Sequence, residues 1–336
     1  MEKILPIAAP IVNCYPRYGH TFSIVGAHTQ EHLPWVYNFF VQLYSPDKLN
    51  GEARVDYMDP DIYNKLPWIE INYIKKEIGY KIMKGLELIK TYIDADYYFY
   101  AFFKVDEIAA YKNRMHYHDP LIYGYSDEKE EFYFADNYKN GKYGLGVASY
   151  KEMESAINNY AREDPFHIIC IKYKNDKKWK TFQFDKEAYI SFLRDYVEQT
   201  NCARCWAVPG VNYKFMEGRR WGIGVYSYIQ ECLDKMKKSN MWADHRGLYV
   251  ILEHKRILEK ALTYMLGEQW KEKYPLAWEM LEKDIQMANI ALHLFLKYKI
   301  TFDKQILDKV KFYIEELEEN DYRLFPHLIK VLEEKE

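Results

Sequence analysis

Cysteine is scarce, five residues in a chain of 336, and the count is odd. That argues against a disulfide framework and fits a reducing compartment, where thiol chemistry is available. Long hydrophobic runs are missing as well. The stretch MEKILPIAAPIV is apolar only briefly and is broken by Pro6 and Pro10, so no signal peptide is expected, and no later run approaches a membrane span. A cytoplasmic protein with no membrane partner is expected. Neither sign of charge dominates, and a formal net charge of −3 gives no electrostatic reason to expect nucleic acid. Internal repeats and low-complexity tracts are absent, as are GxGxxG, Walker A, GxSxG and HExxH patterns.

What is present is the composition of a globular chain, 49% hydrophobic and 29% charged, long enough for two ordinary domains. The 33 tyrosines are scattered and read as core and surface filler. Between Cys14 and Tyr44, Phe22, Val25, Trp35, Phe39 and Leu43 suit helices, and Gly26 and Pro34 favour two short ones. Residues 60 to 95 show helical spacing through Ile71, Ile74, Ile78, Ile82, Leu86, Ile89 and Ile93. DYYFYAFFKVDE then reads as a buried strand, GKYGLGVASYKEMESAI as a turn entering a helix capped by Ser149 with Glu152 in the capping-box position, and FHIICIKYK and KKWKTFQF as two more strands. From Lys186 the pattern becomes helical, with repeats such as Leu281, Ile285, Ala288 and Leu292, then Ile306, Val310, Ile314 and Leu317. The expected fold is α+β over residues 1–185, helices followed by an antiparallel sheet, and an all-α helical bundle over 186–336.

The chemistry centres on HDPLIYGYSDEKEEFYFADN, residues 118 to 137, read as a β-hairpin with SDEKEE in its turn. A turn centred on Asp127 and Glu128 sets His118 opposite Asn137 and Asp136 opposite Asp119, bringing imidazole and carboxylate within reach. His116, two residues earlier, would share a strand face with His118 and is the alternative base. Cys14 precedes Pro16, a residue suited to the first turn of a helix, so its thiol is expected near a helix N-terminus, where the dipole favours thiolate. Together Cys14, His118 and Asp136 form a candidate nucleophile, base and orienting carboxylate. His20, His28 and His32 lack metal-site spacing and read as surface or capping residues. Cys202 and Cys205 form CARC, but no second CxxC exists to complete a zinc site. DHRGLYVILEHKR reads as a solvated, salt-bridged helix start.

NCYPRYGHTFSIV, YYFYAFFKVDE and HDPLIYGYSDEKEEFYFADNYKNGKY together resemble the N-terminal domain of the butirosin biosynthesis protein H family, over roughly residues 5 to 165. The resemblance implies a papain-like cysteine-peptidase fold, with Cys14, His118 and Asp136 as catalytic positions. It implies transfer of an acyl or aminoacyl group from a carrier-protein thioester to a small amine in bacterial natural-product assembly, including nonribosomal-peptide clusters. No cofactor follows beyond the phosphopantetheine that carries the substrate. A cysteine peptidase or thioesterase with the same triad, or a noncatalytic scaffold of the same fold, are the alternatives. Cys14 is followed by Tyr15 and Pro16 in place of the papain-type run, no upstream glutamine is recognisable, and Asn13 is the candidate oxyanion residue.

Overall fold

The computed structural model describes all residues except 46–52, 59–61, 112–114, 140, 162–166, 176–181, 203–217, 240–243 and 335–336. The chain packs as two compact units, one formed by Met1–His32 and Asp61–Thr181, the other by Leu33–Pro60 and Phe182–Glu336. The architecture is mixed α+β, with an antiparallel sheet and a helical C-terminal region. No described helix is long and apolar enough to cross a membrane.

In the first unit the strands are β1 (Glu2–Ile4), β4 (Ile69–Ile74), β5 (Tyr98–Tyr100), β6 (Leu121–Ser126), β7 (Glu131–Lys139), β8 (Lys142–Ser149) and β9 (Ile168–Tyr173). Their order is β4-β9-β5-β6-β7-β8, and every pairing is antiparallel. β5 is too short to cover β6: Phe99 and Tyr100 pair with Ile122 and Leu121, and β1 completes that side by pairing with Gly124 to Ser126. This leaves all six residues of β6 buried, as expected of a strand deep inside a sheet. The helices are α1 (Pro16–His28), α3 (Ile62–Lys65), α4 (Lys76–Ile82), α5 (Gly85–Asp94) and α6 (Tyr150–Asn158). Ser149 and Glu152 make the reciprocal capping box expected at the start of α6.

Two sequence expectations need correction in this unit. Ile71 and Ile74, read as helical, lie in β4, because the β-rich IEINYI finds a partner in IICIKY of β9, with Ile71 opposite Ile171. Long-range pairing overrides a spacing that fits a helix only by coincidence. KYGLGVAS, read as a turn, is the strand β8, whose alternation was masked by Gly144 and Gly146. The strand expected over 177–184 falls mostly outside the described residues, and Phe182 to Phe184 are not strand.

The second unit contains α2 (His32–Phe39), β2 (Leu43–Tyr44), β3 (Asp56–Tyr57), α7 (Lys186–Val197), α8 (Val225–Lys238), α9 (Arg246–Leu266), α10 (Trp270–Lys273), α11 (Pro275–Thr301) and α12 (Gln305–Glu333). The linear division at 185/186 therefore misplaces residues 33 to 60, which pack with the helices. Specific backbone contacts draw them there. The Asn38 amide donates to the carbonyl of Asp185 (2.9 Å) and accepts from its N–H (2.7 Å), while Asp185 caps α7. His254 on α9 bonds the Val41 carbonyl at 2.8 Å. Gly247 in the first turn of α9 lies so close to Ala53 that a Cβ would fall 1.8 Å from the Ala53 carbonyl oxygen.

The stretch DHRGLYVILEHKR is not a solvated face. Lys255 is fully buried among the helices, ion-paired with Asp321 of α12 and 3.3 Å from Asp284 of α11. Tyr196 and Tyr226 donate their hydroxyls to Asp321 at 3.0 and 2.8 Å, and Asn320 donates to Asp284 at 2.7 Å. Burial, reinforced by the Asp321 charge and opposed by Lys255, holds the Asp284 carboxyl well above the usual range. A protonated Asp284 removes the second negative charge that a dry interior sustains poorly. Cys202 also lies inside this unit, in an apolar cluster with Met58 and Trp221, whereas Cys205 is outside the described residues.

Removing one member of a buried ion cluster strands the others without compensation. Lys255→Met is expected to lower stability by about 3–5 kcal/mol, read as a fall in the urea midpoint at constant slope; an unchanged midpoint contradicts this account.

Candidate functional site

Pro16 fixes the start of α1, and Tyr15, in extended conformation, is its N-cap, so Cys14 enters just before the helix. The Cys14 side chain is 5% exposed. Its position is tied to β7, because the carbonyl of Asn13 accepts a 2.8 Å hydrogen bond from the Asn137 side-chain amide, one residue beyond Asp136. Arg17, also in the first turn, holds its guanidinium over the Tyr18 ring, 4.4 Å from the centroid, and donates to the Tyr18 hydroxyl at 2.5 Å. The helix packs tightly on β8 at Gly19, where a Cβ would come within 2.7 Å of the Tyr143 ring.

His118 stands outside β6. Its N–H and C=O both pair with Phe103, at 3.2 and 2.8 Å, in an isolated bridge. From there its Nδ1 reaches Asp136 Oδ2 at 2.5 Å. Asp136 on β7 has no exposed surface. Its Oδ2 also accepts the Tyr111 hydroxyl at 2.5 Å, and its Oδ1 accepts the Asn137 backbone N–H at 2.7 Å. Burial pushes the Asp136 carboxyl up, but the His118 charge and hydrogen bond, with help from His20 and Tyr111, outweigh it and hold the group below its ordinary value. An ionised Asp136 accepts only, so the His118 hydrogen at this contact sits on Nδ1, and in the neutral ring Nε2 carries the lone pair.

The hairpin that delivers Asp136 differs in register from the sequence expectation. Its loop is Asp127 to Glu130, with Glu130 in the left-handed region at φ 54°, so Ser126 pairs with Glu131 and the turn centres one residue later than expected. A bulge between Ile122 and Gly124 then shifts the pairing back by one, giving Leu121 opposite Ala135. The His118–Asn137 and Asp119–Asp136 facing pairs are therefore not part of the ladder, which ends at Leu121. The imidazole and carboxylate meet nonetheless, through the His118–Phe103 bridge. His116 does not join them. It is 85% exposed at its side chain and pairs with Asp106 at 2.9 Å, because residues 115 to 117 are not strand and give it no shared face with His118.

Sequence reasoning missed the residues that hold this pair in place, Tyr111 on Asp136 and His20 on the Asp119 carbonyl. His20 is fully buried, not a surface or capping residue: Nε2 donates to the Asp119 carbonyl at 2.8 Å and Nδ1 lies 3.0 Å from the Tyr143 hydroxyl. Burial lowers its pKa to about 4, so the ring is neutral near pH 7 and its Nδ1 accepts from Tyr143. His28 stacks on Tyr173 and His32 bonds the Thr29 carbonyl, again away from any metal-like grouping. Among the described residues no cluster of three or more His, Cys, Asp or Glu is arranged to hold a metal ion. The adjacency of Asp119 to His118 was the only sequence signal for these supporting residues; nothing in the local pattern pointed to Tyr111, His20 or Tyr143.

A scan against known protein families and a search of curated proteins both return no match for this chain.

Tyr111 supplies one of two hydroxyl or imidazole donors to a buried charge. Tyr111→Phe is expected to cost about 1.5–3 kcal/mol of stability, the range for a hydrogen bond to a charged group, measured by denaturant unfolding; a cost below about 0.5 kcal/mol would show that Asp136 does not depend on it.

Proposed function

We propose that this chain is a cysteine-dependent acyltransferase with a papain-like arrangement, using Cys14 as nucleophile, His118 as base and Asp136 as the residue that orients the ring. The observation that carries the reading is the wholly buried Asp136 holding His118 through Nδ1, on the strand to which the residue before Cys14 is tethered. This geometry leaves Nε2 of His118 as the nitrogen that takes a proton from the thiol. The start of α1, just after Cys14, favours sulfur as thiolate.

In the proposed reaction the Cys14 thiolate adds to the carbonyl carbon of a carrier-protein thioester and the phosphopantetheine thiolate leaves, taking the proton from His118. An amine then attacks the new thioester. His118 accepts the amine proton, the Cys14 sulfur departs, and an amide forms. Exchange between thioesters is close to isoenergetic, so the protein contributes mainly positioning and charge. Proton transfer by His118 is worth about 10² to 10⁴ in rate. Asn13 remains the candidate for the oxyanion. Water in place of the amine turns the same machinery into a thioesterase or peptidase, and release of free acid without amine marks that outcome.

A second reading draws on the burial of Cys14: a noncatalytic scaffold of the same architecture keeps such a thiol as a small apolar residue. The two separate cleanly. Intact-mass measurement after exposure to an acyl-loaded carrier protein is expected to show an acyl adduct on the native chain, none on Cys14→Ala, and accumulation slowed by about 10²-fold or more in His118→Ala. A native chain that neither gains the adduct nor reacts with iodoacetamide faster than an ordinary buried thiol decides for the scaffold.

A further inference from the structure

His118 Nδ1 faces two carboxyl groups. Besides Asp136 Oδ2 at 2.5 Å, Asp119 Oδ1 lies 3.4 Å away. Asp119 is 7% exposed, and its Oδ2 accepts the Tyr100 hydroxyl at 2.6 Å. One N–H cannot serve both acids equally, and the shorter contact assigns it to Asp136. The second carboxyl then acts through its charge, at a distance and burial where solvent screens poorly.

We propose that Asp119 is a positioning residue for His118, a second carboxyl that strengthens the imidazolium form held at Nδ1 by Asp136. The inference rests on the reading of His118 as the base and extends it to a group that the triad does not include.

The neighbours of Asp119 decide when it is charged. Facing it are His118 and Asp136 at Nδ1, Tyr100 from β5, Tyr63 from α3, Tyr111 ahead of His118, and His20 from α1, whose neutral ring touches only the Asp119 carbonyl. Tyr63, Tyr100 and Tyr111 are all raised above the ordinary tyrosine value, chiefly by burial, and stay uncharged near neutrality. Asp119 itself is pushed up to about 6, first by burial and then by the Asp136 charge, against the opposing pull of His118 and the Tyr100 hydrogen bond. Below that pH the carboxyl pair carries one negative charge, and above it two. The second charge arrives in the range where an imidazole titrates, so the proton on His118 and the proton on Asp119 are exchanged against one another and their titrations belong to the cluster.

The sign of the effect follows directly. Ionised Asp119 favours the charged ring, so Asp119→Asn, which keeps the shape and an acceptor for Tyr100, removes that support. The His118 pKa is expected to fall by about one unit. Tyr100→Phe keeps the carboxyl but removes a hydrogen bond that favours its ionised form, so the step at His118 that tracks Asp119 is expected to move to higher pH. The measurement is a histidine-nitrogen NMR titration of the full chain, with His118 assigned by its loss in His118→Gln. A His118 curve in Asp119→Asn that superimposes on the native curve overturns the proposal, as does an Asp119-linked step that does not move in Tyr100→Phe. A simple packing role predicts those unmoved curves. Because the ring is read directly, the result does not depend on any reaction at Cys14: a shift without an acyl adduct retains the carboxyl pair and removes the transferase, and an adduct without a shift does the reverse.

Discussion

A carboxylate with no exposed surface is stable as an ion only when donors and an opposite charge replace the water it has lost. Asp136 meets that condition with three donors: His118 Nδ1, the Tyr111 hydroxyl and the Asn137 N–H. The arrangement fixes the tautomer of His118, with its hydrogen on Nδ1 and the lone pair of the neutral ring on Nε2. It also ties β7 to Tyr111 and His118, both in the segment that leads into β6, so that local geometry and local charge are maintained by the same contacts.

The first unit is built to deliver those contacts. The left-handed Glu130 and the bulge after Ile122 set where β7 runs relative to β6. The Phe103 bridge holds His118 beyond the end of β6, and the Asn13–Asn137 hydrogen bond draws the entry of α1 to the same strand. Gly19 lets α1 settle on Tyr143, which positions His20 to hold the Asp119 carbonyl. The two hydrogen bonds of His20 thus link helix, loop and edge strand around the acid pair.

The second unit meets a similar electrostatic problem differently. Lys255 is paired with Asp321, while Asp284 is driven towards its neutral form by burial and by the neighbouring carboxylate. Tyr196 and Tyr226 complete the acceptor shell of Asp321. A buried cluster of this kind favours one arrangement of helices over slipped alternatives, in which its charges would be stranded.

Patterns whose physics is local could be read from the residues alone: the helices of the C-terminal region, the α6 capping box, the paired helices after Cys14, and the β6–β7 hairpin that carries Asp136. Each depends on spacing within one turn of helix or across one tight loop. What only the folded chain decided was set by partners far apart in sequence. β4 became a strand because β9 was there to pair with it, residues 33 to 60 left the first unit because the Asn38 amide binds the Asp185 backbone and His254 of α9 binds the Val41 carbonyl, and Lys255, in a seemingly solvated run of charges, was buried against α11 and α12. The same holds at the site. The types of residue 14, 118 and 136 named a chemistry, but Tyr111, Asp119 and His20 came into it only when β7, α1 and the loop before β6 met, because a one-residue change of turn and a one-residue bulge reassign every facing pair in a ladder whose side chains repeat every two residues.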